Sequence, residues 1–416
     1  VTLKFDRVLP QVQVMGRAVA HRSEHLSQRG ERALSMLNSL PDLAALHQRI
    51  DLVRQKDAGY RGAAAFNENL SQRFPLPPTP AEALLIAVDG SQIYPDPHQN
   101  VLYYLTNIGT FTYHHGAGLL PEEDSTPFLY YSDDDLRERH GHGALVKNTA
   151  INARRNVQEM QSLAEACWHQ REEKRPLLGL MDGPLLWWIG QDIPYAAELE
   201  ADYHRSFEIF LDDIYGHRRL YDLPSTGLVG YVERGDSRFV IRLLHLLSLD
   251  EKDITRAELE TAGPFEGLAD DWLFGRFLGV GERSALMIQQ SPQNKRYREK
   301  GKPFEIVFFY LNVGEAYSPH VVRIELPMWM AQEPACVNMA HALLFEQCRL
   351  AGRYPYCLTR AHELATVSVQ EKIQLDNLIA VELLNNAQLG EKSPKQADKD
   401  ALREGRRRYG EKPLAS

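Results

Sequence analysis

The sequence predicts a mixed α/β sheet with flanking helices, preceded by an N-terminal helical arm. Three observations carry this. Short, unbroken apolar runs at residues 84–88 and 177–181 read as buried strands. Helical stretches at residues 148–169 and 196–220 alternate with them, as in units that lay helices over a sheet. Paired strand-like segments at 101–109 with 110–114, and at 304–311 with 320–326, add hairpins, so the sheet is not purely parallel.

The arm comes first. Leu26, Leu34, Leu37 and Leu40 recur at roughly helical spacing, and Leu43, Leu46, Ile50 and Val53 do so again. Pro41 falls at the first turn of the second helix, where its missing N–H is tolerated. Residues 1–74 thus form an amphipathic helical pair, either a packing arm or a partner-docking arm. Pro75-Leu-Pro-Pro-Thr-Pro80 is a stiff boundary. The main domain, residues 80–388, adds a further strand at 128–131, a strand at 227–232 and a helix at 237–247. Helices at 330–351 and 361–387 close it. Residues 389–416 read as a polar, flexible tail. Its last 27 residues hold eight Lys or Arg against five acids, enough for weak phosphate contact only. There is no internal repeat.

Composition bounds the function. At 416 residues the chain buries a sizeable core without staples. Cys167, Cys336, Cys348 and Cys357 show neither CxxC nor zinc-ligand spacing, which argues against a disulfide framework or a structural zinc site. No apolar run approaches the ~20 residues of a membrane helix. Residues 1–14 do not read as a secretory leader. The expectation is a soluble, cytoplasmic protein with no membrane partner. The net charge of −9, from 47 basic and 56 acidic residues, disfavours a protein that simply coats nucleic acid. It is compatible with a carboxylate-rich site whose bound cations offset the charge.

The chemistry concentrates at two junctions. Val88-Asp89-Gly90-Ser91 and Met181-Asp182-Gly183-Pro184 each place a carboxylate where an apolar strand ends. There it points into the crevice in which α/β proteins bind ligands. Two acids converging at one crevice repel unless something positive lies between them, and Mg²⁺ or Mn²⁺ suits such oxygen donors. The intervening helix offers Glu159 and Glu165, six residues apart and so on different faces; one of them completes the set. Arg154 and Arg155, one turn earlier, are candidates to face phosphate. Further on, Arg353-Tyr354-Pro355-Tyr356 leads through Arg360 to His362 at a helix start, combining a phenol, arginines and a histidine that can ligate metal or shuttle a proton.

Taken in order, these motifs resemble the NurA nucleases, DNA-end-processing enzymes that work with the HerA hexameric ATPase. The strand into Asp89-Gly90-Ser91 is similar to the family's Asp-Gly-Ser strand, and Glu159-Met-Gln-Ser-Leu-Ala164 to its Glu-x-x-x-Leu-Ala helix. Asp182-Gly-Pro-Leu185, Gly230-Tyr-Val-Glu-Arg234, Gly281-Glu-Arg283-Ser284 and Tyr354-Pro355…Leu358…Ala361-His362 follow in the family's order. The resemblance spans about residues 80–386 and departs from the pattern at two points. Pro184 stands where Ser or Thr is common, and the basic residue of the Gly-x-Val strand is Arg234, displaced behind Glu233.

The resemblance implies a ribonuclease H-like core, a homodimer, a HerA-like partner and an Mn²⁺-dependent deoxyribonuclease, with Mg²⁺ as an alternative cation. It makes Asp89, Glu159, Asp182 and His362 metal ligands and places Tyr354 beside them; these five are the candidate catalytic residues. Glu159 is preferred over Glu165 on the family pattern. Arg154, Arg155, Arg234 and Arg283 become candidate nucleic-acid contacts. Tyr94, Tyr356 and Trp187 are candidates to stack on bases because they neighbour the motifs. Two other functions stay open: a non-catalytic partner module of a DNA-translocating ATPase, and a metal phosphohydrolase for small substrates, which would need a closed pocket.

Overall fold

The computed structural model describes residues 4–57, 59–99, 101–137, 143–190, 193, 195–233, 236–299 and 301–385. Arg234 and the tail from 389 onward lie outside the described residues. Eleven strands are described: β1 (Ala63–Ala65), β2 (Arg73–Phe74), β3 (Ala83–Ile93), β4 (Tyr104–His115), β5 (Glu122–Tyr130), β6 (Leu177–Asp182), β7 (Thr226–Val232), β8 (Arg283–Ser284), β9 (Met287–Gln289), β10 (Ile306–Asn312) and β11 (Val321–Pro327). They form one sheet in the order β1-β9-β10-β11-β7-β6-β3-β4-β5, with β2 paired to β8 and β8 to β10. β3, β6 and β7 run parallel, and their neighbours β4 and β11 run antiparallel to them. The stretch β5-β4-β3-β6-β7 is the order of a ribonuclease H-like core: an antiparallel three-strand meander, then two strands added parallel to its first.

The unbroken apolar character of β6 and β7 follows from burial on both faces. The helix Asn148–His169 connects β5 to β6 and lays Val157, Met160, Leu163, Ala164 and Cys167 on the sheet. A second core lies beyond β10. Strand alternation sends Phe309 and Leu311 into the first core, and Phe308 and Tyr310 into the second. That second core is completed by Ala33, Leu37, Leu46, Ile50 and Val53 from the arm and by Val240 to Leu246 and Phe265 to Phe277.

The arm is a 34-residue helix, Phe5–Asn38, followed by Leu43–Lys56. Asp42 caps the second helix, its carboxylate accepting the Ala45 amide at 2.9 Å. Pro41 therefore precedes the cap instead of occupying the first turn. The segment up to residue 74 also supplies β1 and β2, so its last residues are part of the sheet.

Other elements differ from the sequence reading in ways that have a cause. Residues 101–114 make no hairpin: β4 runs unbroken through Gly109 and Thr110 and pairs with β3 over eleven rungs. The strand expected at 128–131 begins at Glu122, because backbone pairing to β4 holds a polar segment extended. The helix expected over 196–220 carries a π-helical stretch, Ile209–Gly216. The helix at 330–351 breaks before Pro334, and that at 361–387 is two helices, Tyr356–Ala365 and Val369–Asn385. Among the described residues no helix is long and apolar enough to cross a membrane. All four cysteines are free and buried.

Candidate active site

The register of the sheet places the two strand acids. Val88 of β3 lies beside Met181 of β6 in a parallel pair, so Asp89 and Asp182 follow at the same level on adjacent strands. β6 stops at Asp182, whereas β3 does not stop at Asp89: Gly90 and Ser91 go on pairing with Ile108 and Asn107 of β4. The expectation of two strand ends is thus corrected at Asp89. The crevice opens because one of two neighbouring strands ends: beyond Val88, β3 has lost its parallel neighbour β6 on one edge while its antiparallel neighbour β4 continues on the other.

Alternation along β3 then brings two helices to the site from opposite faces. Gly90 faces the helix Asn148–His169. A Cβ there would stand 2.5 Å from Glu159 Oε1 and 2.8 Å from Arg155 Cγ, so the absent side chain is what admits the Glu159 carboxylate. Asp89 and Ser91 face the helix Tyr356–Ala365. That helix lies directly on Gly109, the residue across from Asp89, where a Cβ would come within 2.4 Å of the Ala361 carbonyl oxygen. The close approach brings His362 over Asp89, with its Nδ1 2.6 Å from Asp89 Oδ2. With Nδ1 donating to the carboxylate, Nε2 keeps the ring's free lone pair. The His362 side chain is 69% exposed, so little else packs against the ring.

The end of this helix is tied to the sheet. Ser91 Oγ donates to the Ala365 carbonyl at 2.5 Å, and Asn107 Nδ2 to the carbonyls of Ala365 and Leu364 at 2.8 and 3.2 Å. Ser125 Oγ holds Asn107 Oδ1 at 3.0 Å, and Thr366 bonds back to the His362 carbonyl. On the other side of the crevice, Glu325 is buried in β11. It accepts the Leu186 amide at 3.2 Å and pairs with Arg323 at 2.8 Å, anchoring the turn that follows Asp182.

Tyr354 packs edge-on against Tyr231, 5.2 Å between ring centroids, and its hydroxyl bonds to Asp182. Burial, Asp182 and nearby Asp89 and Glu233 push the Tyr354 phenol upward, so it stays a donor. Asp182 keeps contact with solvent, yet its carboxyl is raised by desolvation in the crevice, opposed by the Tyr354 hydroxyl and reinforced by Asp89. Glu159 is the most perturbed acid. It is 5% exposed, and burial raises it to about 8; Asp89 and Asp182 push the same way, while Arg155, with Nε 3.0 Å from Oε1, pulls it down.

The structure therefore brings Asp89, Glu159, Asp182, Tyr354 and His362 together, and it points Glu165 away, exposed beside His169. Among the described residues no three His, Cys, Asp or Glu side chains stand as a ready-made ion cage. The donor chemistry nevertheless fits a hard cation. Asp89 and Asp182 both raise Glu159, Asp89 raises Asp182, and Glu159 Oε1 is buried with Arg155 Nε at 3.0 Å as its charge partner.

The expected nucleic-acid residues divide. Arg155 lies in the site, bonded to Gln92 at 2.8 Å and Asn156 at 2.8 Å as well as to Glu159. Arg154 faces elsewhere: it bonds the Tyr104 hydroxyl and Asp135 and lies 4.8 Å from the Tyr130 ring centre. Arg283 is buried, its two terminal nitrogens each 2.9 Å from Glu68 and its plane over Phe74. That corrects its assignment as a phosphate contact, since its donors are spent on holding residue 68 to β8. Tyr94 is bonded to Asn152 and Gln92, Trp187 leans on Tyr203, and Tyr356 packs edge-on to Phe111 and Tyr113. Ser91, Asn107, Gly109, Glu325 and the charge of Glu233 were not assigned roles from sequence. Ser91 was visible as the third residue of the Asp-Gly-Ser motif, and Gly109 as a glycine between strand-like residues, which marks close backbone approach when the strand runs through it.

Two cavities, of about 590 and 440 Å³, lie along the outer side of the helix Asn148–His169, and neither is lined by Asp89, Asp182 or His362. None of the curated proteins compared matches this chain. Among solved structures it is similar to the NurA nuclease from Sulfolobus solfataricus, at 12% identity and a TM-score of 0.41, covering 82% of this chain and 94% of that one. It also matches Drosophila Piwi at 10% identity and a TM-score of 0.26, over 68% of this chain and 29% of that one. The profile of the NurA domain matches residues 83–367, more than half of the sequence, and on that ground the chain belongs to the NurA domain family.

Proposed function

We propose that the protein is a divalent-cation-dependent DNA nuclease that works as a homodimer beside a HerA-like hexameric ATPase in the cytoplasm. The observation that carries this is the convergence of Asp89, Asp182 and Glu159 under His362 at an open crevice in a NurA-family chain.

Asp89, Glu159, Asp182 and His362, the last through Nε2, would hold the cation; Mn²⁺ is the preferred ion and Mg²⁺ shares its oxygen chemistry. Bound there, the cation supplies Lewis acidity toward a phosphodiester and lowers the pKa of water. The chain's own groups do the rest. Asp89 orients the imidazole through Nδ1, so that Nε2 faces outward for ligation or proton transfer. Tyr354 donates its one hydroxyl proton to Asp182 and so orients that carboxylate. Arg155, carried by Gln92 and Asn156 at the rim, offers positive charge to the backbone.

Cleavage of end-labelled single- and double-stranded DNA with Mn²⁺, Mg²⁺ or EDTA tests the proposal. Wild type is expected to degrade DNA only with a divalent cation. Asp89→Ala is expected to be inactive while melting within a few degrees of wild type, because a crevice charge set among other acids is lost and no apolar core atom is. Wild-type turnover by folded Asp89→Ala would sink the assignment.

A further inference from the structure

The third residue of Asp89-Gly90-Ser91 is not among the residues that would hold the cation, and neither is Asn107, its partner across β3 and β4. Both donate to the last carbonyls of the helix that carries His362. The final carbonyls of a helix have no partner within it, so something outside must take them. Here the sheet does: Ser91 and Asn107 share the Ala365 carbonyl, while Asn107 and Ser125 share that of Leu364. Gly109 lets the helix backbone sit against the strand. The His362 ring is mostly exposed, so its location is set by where the helix backbone lies and by the single bond to Asp89.

We propose that Ser91 and Asn107 are positioning residues for His362: by holding the Leu364 and Ala365 carbonyls on the sheet face that bears Asp89, they fix the imidazole over that carboxylate without touching substrate themselves. Within the motif each residue has its own task. Asp89 receives the histidine, Gly90 admits Glu159 from the opposite face, and Ser91 anchors the histidine's helix. The functional weight of this placement rests on the nuclease proposal; the placement itself does not.

The test uses the full-length protein labelled with ¹³C-histidine, in EDTA and without DNA, following the His362 ring signal assigned by His362→Gln. Asp89→Asn marks where that signal falls when the Asp89 contact is weakened. Ser91→Ala, and Asn107→Asp, which turns a donor against two carbonyls, are expected to move it toward the Asp89→Asn position. The other histidine signals should stay in place, and Ser91→Thr, which keeps the hydroxyl, should restore it. In the same variants the cation concentration for half-maximal cleavage is expected to rise about tenfold, with KM for DNA within about twofold. A lowered melting temperature with an unmoved His362 signal in Ser91→Ala would overturn the proposal, leaving both side chains as stabilisers only. Should Asn107→Asp not fold, the Ser91→Ala and Ser91→Thr pair decides alone. Absence of DNA cleavage by wild type would remove the nuclease proposal and leave the spectral result standing.

Discussion

At the scale of single residues, Glu159 carries the largest imbalance. Its carboxyl sits near 8 in the folded chain against 4.5 as the ordinary value, because burial and two neighbouring acids oppose its charge. Between those values the unfolded chain has released the proton and the folded chain has kept it. Stability from this group is therefore full below about 4.5 and falls as pH rises toward 8. In EDTA, Glu159→Gln is expected to melt like wild type at pH 5 and to gain on it by pH 8, by roughly a few kcal/mol at most. A cation that takes up the carboxylate should reverse the wild-type slope. Identical pH dependence of melting in both proteins would show that Glu159 is solvated. In the proposed mechanism His362 is both a ligand and a proton carrier, so His362→Ala should cost about 10² or more in rate, as for a general acid or base. Tyr354→Phe removes one hydroxyl whose partner, Asp182, still meets solvent, and a loss of about tenfold is expected. Measuring cation activation curves and melting temperatures on the same variants separates these effects from a packing role.

At the scale of elements, the two glycines of the site make opposite demands. A methyl at position 109 would meet the Ala361 carbonyl and Ala365 amide, which belong to a helix backbone and cannot yield singly. Gly109→Ala is therefore expected to push the Tyr356–Ala365 helix outward, costing about 1–3 kcal/mol and the His362–Asp89 contact together. At position 90 the nearest atoms are Glu159 Oε1 and the Arg155 stem at Cγ and Cδ, side-chain atoms that can shift without moving a helix backbone. Gly90→Ala should melt near wild type and lose activity. Equal destabilisation by both would contradict this division. These positions also show what was legible in the sequence. The apolar runs leading into Asp89 and Asp182 and the helix Asn148–His169 were readable, because unbroken or periodic apolar stretches state their own burial, whereas the helix expected to start at His362 begins at Tyr356 and carries His362 in its last turn. β1, β2, β8 and β9 are two or three residues long and show no period. Gly109 read as the end of a strand, although its work is to clear space within one. Arg283 read as a free cation, since its partner Glu68 is 215 residues away in sequence.

At the scale of the whole molecule, the arm divides into two halves with different surroundings. From Leu26 onward the Phe5–Asn38 helix packs into the second core through Ala33 and Leu37, and Gly30 lies beneath Trp272. Before residue 20 it meets none of that core. Phe5, Leu9, Val12, Met15 and Val19 recur at helical spacing and remain exposed, Phe5 by 74%. An apolar stripe on a charged, net-acidic chain favours association, and burying several such side chains contributes about 1.5–3 kcal/mol each. The proposed HerA-like ATPase is the partner assigned to it here. A truncation at residue 74 would not test this, because it also removes β1 and β2 from the sheet and the buried half of the arm. Removal of residues 1–19 is the clean cut. The shortened protein is expected to melt like wild type and to keep its cation-dependent cleavage of short DNA, since the core and crevice are untouched. It should no longer co-elute with the hexameric ATPase in size-exclusion chromatography. Leu9→Glu with Val12→Glu in the full chain should do the same without shortening it. If both proteins still form the complex at full affinity, the ATPase binds another face, and a change in the protein's own oligomeric state in either variant would assign the stripe to the second subunit instead.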